Sequence, residues 1–194
     1  MRSALFLDRD GVVNEEVDFC HRIEDFAFRP GIFDLVGAAH RANRAVVVVT
    51  NQSGIARGYF TEEDFQALTR YMKARFEEAG TALTDVLHCP YHPAAVVETY
   101  RADHPWRKPR PGMLLEAARR HGLDVSTSVL VGDRMSDIEA AAAAGLAAAC
   151  LVGSPDAVPR LGGLEIACAP DVVGAASWYA ERLAREAAPG GASG

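Results

Sequence analysis

Two carboxylates stand two residues apart at the end of the first apolar run of the sequence. Residues 5–7 lead directly into Asp8 and Asp10, and Gly11 begins the loop that follows. Residues i and i+2 of an extended chain point to the same side, so both carboxylates can face one small volume. One could attack a phosphorus atom with the help of a magnesium ion, and the other could transfer protons. Taken alone, the pair could also be a capped turn.

Polar residues also follow the second apolar run. Residues 50–58 read Thr-Asn-Gln-Ser-Gly-Ile-Ala-Arg-Gly and supply hydroxyls, amides, a guanidinium and backbone donors. Such groups can cradle a phosphate or a polyol, although a loop without any ligand can have the same composition. The candidate binding residues are Thr50, Asn51, Gln52, Ser53 and Arg57.

Two later segments add a cation and two more carboxylates. Lys108, which follows Arg107 in a proline-rich basic segment, could place an ammonium between a nucleophile and phosphoryl oxygens, or it could belong to a solvated turn. Asp133 follows the fourth apolar run and is placed to ligate a metal. Asp137 could hold Asp133 or Lys108 in place without touching the ligand itself, or it could be an ordinary acid in the first turn of a helix.

The elements that must position these residues alternate along the chain. Short apolar runs predict strands at 5–7, 45–49, 85–88, 128–131, 147–152 and, less clearly, 164–168. Periodicity and capping residues predict helices at 30–42, 61–80, 113–121, 136–144 and 172–187. This alternation indicates an α/β fold, a doubly wound parallel sheet with helices on both faces. Such a sheet binds ligands beyond the carboxyl ends of its strands, where the polar residues above would meet.

Composition limits the classes of function. The chain has 194 residues, a net charge of −6 and four scattered cysteines. We expect one domain over 1–188 followed by a flexible tail at 189–194. The acidic balance argues against nucleic acid as a partner, and no apolar run is long enough to predict a membrane span. We therefore expect a cytoplasmic protein with reduced thiols, whose oligomeric state the sequence leaves open.

The chain resembles the haloacid-dehalogenase-like (HAD-like) phosphatase superfamily, because four blocks occur in the order that this superfamily uses. The blocks are Asp8-x-Asp10, Thr50, Lys108 and Gly132-Asp133 with Asp137. The segments 7–11, 50–58, 89–93 and 107–113 are more specifically similar to the D-glycero-D-manno-heptose 1,7-bisphosphate phosphatases. Histidinol-phosphate phosphatases are the near relatives of that family.

The intervals between the first three blocks leave no room for a separate cap domain, and the resemblance implies a role for each residue. Asp8 would attack phosphorus and form an aspartyl-phosphate, while Asp10 would act first as acid and then as base. Magnesium would be held by Asp8, the backbone carbonyl of Asp10 and Asp133, and Thr50 and Lys108 would hold the phosphoryl oxygens. The remaining sugar and its second phosphate would meet Asn51, Gln52, Ser53, Arg57, Arg107 and Lys108. The expected reaction is removal of the C7 phosphate.

The segment 89–106 departs from the family pattern. Relatives bind zinc there through a Cys-x-His pair and a Cys-x-Cys pair, whereas this chain has Cys-Pro-Tyr-His and His-Pro-Trp. Cys89, His92 and His104 could still ligate zinc in principle. We predict instead that packing of Tyr91, Tyr100 and Trp106 holds the loop without zinc. We also predict that this long loop partly covers the substrate.

Two alternatives remain at this stage. The first is a histidinol-phosphate phosphatase or a phosphatase of another small sugar phosphate, which the sequence does not separate from the heptose reading. The second is a receiver-type signalling domain that keeps a phospho-aspartate as a signal. Receiver domains lack an acid/base two residues beyond the phosphorylated aspartate, so the Asp8 and Asp10 pair argues against this second alternative.

Overall fold

Six parallel strands form one sheet at the centre of the structure, a computed structural model that describes residues 1–153 and 160–188. The strands are β1 (Ala4–Leu7), β2 (Ala45–Asn51), β3 (Asp85–Cys89), β4 (Val129–Gly132), β5 (Ala148–Val152) and β6 (Glu165–Ala169). Their order in the sheet is β3-β2-β1-β4-β5-β6. The predicted strands are confirmed to within two residues at each end. The predicted flexible tail at 189–194 lies outside the described residues.

Within the described residues, six α-helices connect or follow the strands. They are α1 (Ile32–Arg41), α2 (Ser53–Ala56), α3 (Glu62–Glu78), α4 (Gly112–His121), α5 (Met135–Ala144) and α6 (Val172–Ala187). The Thr61 cap predicted for α3 is confirmed, since its hydroxyl accepts from the Asp64 amide while the Asp64 carboxylate accepts from the Thr61 amide. The short helix α2 was not predicted. Its four residues are too few to show a helical period.

Side-chain alternation along the strands divides the core into two layers. Leu5 and Leu7 of β1 pack with α1, α3 and α6 on one face of the sheet, whereas Phe6 packs with α4 and α5 on the other. All three of these side chains are fully buried. Burial on both faces explains why the strands read as continuous apolar runs, and it confirms the predicted α/β class.

The topology brings the carboxyl ends of three strands together at one edge of the sheet. The chain moves outward from β1 through β2 to β3, returns to the other side of β1 at β4, and continues outward to β6. The carboxyl ends of β1, β2 and β4 therefore lie side by side at the point where the direction of winding reverses. The connection between β1 and β2 contains α1, and the connection between β2 and β3 contains α2 and α3. Within the described residues, no helix has the length and apolar character needed to cross a lipid bilayer.

Candidate active site

A cavity of about 380 Å³ opens at the carboxyl ends of β1 and β2, beside β4. Its walls combine the residues predicted from the motifs with a segment that sequence reasoning did not select. The cavity is lined by Asp8, Asp10, Glu16, Val17, Asp18, Phe19, Thr50, Asn51, Gln52, Ser53, Gly54, Arg107, Lys108, Arg134 and Ser136. Its volume is in the range usual for small-molecule sites.

Asp8 follows β1 directly and lies almost buried at the base of the cavity. Its Oδ1 accepts from the backbone N–H of Arg9 at 2.7 Å and lies 2.9 Å from Lys108 Nζ. Burial, and next the negative charge of Asp137, raise the pKa of Asp8 to about 8 even though Lys108 opposes the shift. The aspartate is therefore fixed in place but poorly compensated in charge.

Lys108 is a buried ammonium with three acceptors around it. Its Nζ lies 2.9 Å from Asp8 Oδ1, 2.6 Å from Asp137 Oδ1 and 2.9 Å from the carbonyl oxygen of Val49. Burial alone would lower the pKa of Lys108, but Asp137 and Asp8 outweigh it and raise the pKa above its ordinary value. Asp137 also accepts from the Arg134 amide at 3.1 Å, so this fully buried carboxylate supports Lys108, one of the two roles predicted for it.

Asp133 supplies a carboxylate oxygen, Oδ1, that is buried and has no hydrogen-bond partner among the described residues. Burial, followed by the charges of Asp137 and Glu16, raises the pKa of Asp133 to about 6. Gly11, at φ +82°, lets the loop approach closely, because a Cβ there would lie 2.2 Å from Asp133 Oδ2.

This carboxylate cluster fits a divalent cation. Oxygen atoms of Asp8, Asp133 and Asp137 all lie within 4.8 Å of one another. Three carboxylates against the single ammonium of Lys108 leave an excess of two negative charges when all are ionised. Oxygen ligands, the unpartnered Asp133 oxygen and this charge excess are what magnesium requires. Both oxygens of Asp137 are engaged, Oδ1 by Lys108 and Oδ2 by the Arg134 amide, so Asp8 and Asp133 are the side chains available as ligands.

The carboxyl group of Asp10 is held by three neighbouring side chains. Oδ1 accepts from Arg9 Nε at 3.2 Å, from Arg9 Nη2 at 2.9 Å and from Asn14 Nδ2 at 3.1 Å. Oδ2 accepts from Gln52 Nε2 at 2.9 Å. Arg9 and Asn14 were not among the predicted site residues, because motif reading considers the aspartates at i and i+2 and ignores the residues between and after them.

The predicted polar loop after β2 divides into residues that hold the site and residues that face the cavity. The Asn51 amide donates to the Lys108 carbonyl at 3.1 Å and accepts from the Lys108 amide at 3.0 Å, so it clamps the backbone of that lysine. The Gln52 amide, besides reaching Asp10, donates to Thr50 Oγ1 at 2.8 Å. Ser53 lines the cavity at the start of α2.

The two predicted arginines have different positions. Arg107 is half-buried and lines the cavity, and burial lowers the pKa of its guanidinium. Arg57 is exposed and does not line the cavity, and its guanidinium carbon lies 5.8 Å from the ring centre of Phe19, a residue of the cavity wall. Arg57 could therefore contact a ligand that extends past Phe19.

The prediction that residues 89–106 cover the substrate is wrong for this cavity. No residue of that loop lines it, whereas residues 16–19 do. An ion pair between Glu16 and Arg134 joins this second segment to the loop after β4. The segment follows Asp10 closely in sequence, and its acidic, unpatterned composition gave no sign of its position.

The loop 89–106 is held by aromatic contacts. The rings of Tyr91 and His104 stack at 4.3 Å, Tyr91 meets Tyr100 at 5.8 Å, and His104 meets Trp106 at 5.9 Å. The three candidate zinc ligands have other partners. Cys89 Sγ lies 4.0 Å from the Tyr91 carbonyl. His92 Nδ1 and His104 Nδ1 each accept a backbone N–H, from Ala94 and Trp106 respectively. In the described chain the three candidate zinc ligands do not form a convergent cluster.

Known proteins with similar sequences are phosphatases. A family model described as HAD-hydrolase-like matches residues 105–161. The D-glycero-alpha-D-manno-heptose-1,7-bisphosphate 7-phosphatase of Burkholderia mallei is 45% identical over 154 residues, which cover 79% of this chain and 82% of that protein. The D-glycero-beta-D-manno-heptose-1,7-bisphosphate 7-phosphatase of Escherichia coli K12 is 38% identical over 181 residues, which cover 93% of this chain and 90% of that protein.

A solved structure with the same fold carries ligands. It is the D,D-heptose 1,7-bisphosphate phosphatase from B. bronchiseptica, complexed with magnesium and phosphate. The two structures superpose with a TM-score of 0.76 at 31% identity, over 95% of this chain and 99% of that one. The likeness therefore extends over nearly the whole length of both proteins.

Proposed function

Because the chain belongs to the HAD-like family of heptose-1,7-bisphosphate 7-phosphatases, we propose that it is a magnesium-dependent phosphomonoesterase that removes the C7 phosphate from D-glycero-D-manno-heptose 1,7-bisphosphate. The observation that carries the proposal is the site around Asp8. Here a cavity-lining carboxylate is oriented by Lys108 and lies beside the unpartnered oxygen of Asp133. A nucleophile, an ammonium and a cation site thus meet at one point.

Asp8 and Asp10 divide the first half of the proposed reaction. Asp8 attacks phosphorus and forms an aspartyl-phosphate, while Lys108 and the Thr50 hydroxyl hold phosphoryl oxygens. Asp10, whose carboxyl is held away from Lys108 by its own donors, gives a proton to the departing sugar oxygen. Magnesium, bound by Asp8, Asp133 and the Asp10 carbonyl, would supply the positive charge that offsets repulsion between carboxylate and phosphate.

Asp10 also serves the second half of the reaction. Having lost its proton, it takes one from a water molecule, and the resulting nucleophile cleaves the bond between Asp8 and phosphorus. Free Asp8 and inorganic phosphate result. Asn51 acts through the backbone of Lys108, and Gln52 acts through Thr50 and Asp10. Ser53 and Arg107 line the cavity and would meet the sugar or its second phosphate, whereas Arg57, beside Phe19, would meet a ligand that extends past that residue.

The test is phosphate release by the purified protein with magnesium. The substrates are the alpha and beta anomers of heptose 1,7-bisphosphate and, as the rival, histidinol phosphate. We expect kcat/KM to be highest for one of the heptose anomers, and Asp8→Asn should abolish turnover without changing the circular dichroism spectrum. Faster turnover of histidinol phosphate would overturn the substrate assignment, and wild-type turnover by Asp8→Asn would overturn the nucleophile.

The proposal includes a cytoplasmic location and a small phosphorylated sugar as the sole partner, with no nucleic acid or membrane. All four cysteines are unpaired, and Cys20, Cys89 and Cys150 are buried, which suits a reducing compartment. Fractionation of the source cells followed by immunodetection checks this location. Gel filtration with light scattering would give the oligomeric state.

A further inference from the structure

Arg9, the residue between the two motif aspartates, is buried and directed at Asp10. Only 1% of its surface is exposed, and its guanidinium carbon lies 5.7 Å from the ring centre of Phe65 on α3. Nε and Nη2 both donate to Asp10 Oδ1, and Nη2 donates also to the Cys20 carbonyl at 2.7 Å. A buried arginine with this many directed contacts fixes the group that it binds.

The donors around Asp10 distinguish its two oxygens. Oδ1 accepts three hydrogen bonds, two from Arg9 and one from Asn14, so its lone pairs are occupied. Oδ2 accepts one hydrogen bond, from Gln52, among the described residues. Oδ2 is therefore the oxygen with capacity to carry a proton.

We propose that Arg9 is a positioning residue that anchors Asp10 through Oδ1 and so aims Oδ2 at the leaving oxygen of the substrate. The inference rests on the proposed function, because it assigns a support to the acid/base of that reaction. Arg9 also contacts Asp8, but through its backbone N–H, so this contact does not depend on the Arg9 side chain. Changing the side chain should therefore disturb the acid and spare the nucleophile.

Two substrates separate an effect on the acid from a general defect. Departure of an alkoxide, as from heptose bisphosphate, needs a proton from the acid, whereas p-nitrophenolate leaves from p-nitrophenyl phosphate without one. Because kcat/KM covers the steps through departure of the leaving group, it reports the acid role of Asp10 and not its later role as base. In Asp10→Asn we expect kcat/KM to fall by about 100- to 10,000-fold for the sugar phosphate and much less for p-nitrophenyl phosphate. This unequal pattern is the sign of a damaged acid.

Arg9→Lys keeps the positive charge and loses the two-point contact to Oδ1. We expect kcat/KM for the sugar phosphate to fall by about 10- to 100-fold, and that for p-nitrophenyl phosphate to fall less than about threefold. The matched control is Phe65→Leu, which alters packing around the guanidinium but removes no donor to Asp10. The control should change both substrates equally.

The outcomes distinguish this inference from the function on which it rests. Equal losses on both substrates in Arg9→Lys, with Asp10→Asn still showing the unequal pattern, would overturn the positioning role alone. Equal losses in Asp10→Asn would remove Asp10 as the acid and with it the proposed mechanism. If Arg9→Lys does not fold, Asn14→Ala removes one donor to the same Oδ1. It should give the unequal pattern in weaker form, and equal losses there would also refute the inference.

Discussion

Replacing Lys108 with methionine should lower the free energy of unfolding by about 3–5 kcal/mol in the absence of magnesium. The side chain is 3% exposed and makes short contacts to Asp8 and Asp137. Methionine fills a similar volume, so the change removes the charge and little packing. The carboxylates of Asp8 and Asp137 then lie buried without their shared cation, in a site where negative charge is already in excess. Protonation of Asp8, whose pKa is about 8 even beside Lys108, relieves part of the repulsion between them and keeps the loss of stability within that range.

A double-mutant cycle tests whether charge is the cause. Asp137→Asn keeps an oxygen to accept from the Arg134 amide but removes the negative charge that Lys108 balances. We expect Lys108→Met with Asp137→Asn to be more stable than Lys108→Met alone, with a coupling free energy of about 2–3 kcal/mol. The assay is urea denaturation near neutral pH in excess EDTA, followed by fluorescence and circular dichroism. All variants without Lys108 should lack phosphatase activity.

The result that contradicts this reasoning is additivity. If the second substitution lowered stability by the same amount in both backgrounds, Lys108 and Asp137 would not be coupled. A loss smaller than about 1 kcal/mol in Lys108→Met would show that the site tolerates its unbalanced carboxylates. Either result would contradict the inference that excess negative charge favours magnesium at this site.

Three further predictions concern the loop, the metal and the backbone clamp. Asn51→Ala should lower kcat by about tenfold or more through displacement of Lys108, with KM less affected, as steady-state kinetics would show. The raised pKa values, about 8 for Asp8 and about 6 for Asp133, should make the metal-free protein lose stability as the pH rises from about 4 to about 8. Added magnesium should therefore raise the melting temperature more at pH 8 than at pH 5, and EDTA should abolish activity. Tyr91→Ala should destabilise the fold by about 1–2 kcal/mol in urea denaturation, and a zinc chelator should have no effect on the wild type.

The fold was predictable because its main signals are local. Residues 45–49 form a continuous run of apolar, mostly β-branched side chains, and Thr61 with Asp64 marks the start of α3 by a capping pattern that the structure reproduces. Helix α2 and the exact end of β2 were not predicted because they lack a local signal. Thr50 and Asn51 extend the strand because they pair with His88 and Cys89 of β3, a tertiary interaction that has no local signal.

The site was predictable where a residue type and a strand end coincide, or where a family motif occurs. Asp8, Thr50 and Asp133 each follow an apolar run, so the topology of a parallel sheet was enough to bring them together. Lys108 lies in the loop between β3 and α4 and was identified from its motif. The cavity wall at residues 16–19 depends on how an irregular loop returns over the sheet, which no periodicity encodes. The same holds for Asn51, whose side chain resembles a ligand-binding group in sequence and is engaged by the Lys108 backbone in the structure.

Arg9 shows what the motif contained beyond its two aspartates. An arginine directly after a buried strand can extend into solvent or turn back and bind a carboxylate, and composition does not decide between them. The structure decides between them. Arg9 lies in the turn after β1, and its buried guanidinium reaches Phe65 on α3, where it needs an acid. Asp10 is the adjacent acid that is not already bound to Lys108. In the structure Asp8 is therefore bound to the lysine and Asp10 to the arginine. In the proposed reaction this separation lets one carboxylate attack while the other transfers protons.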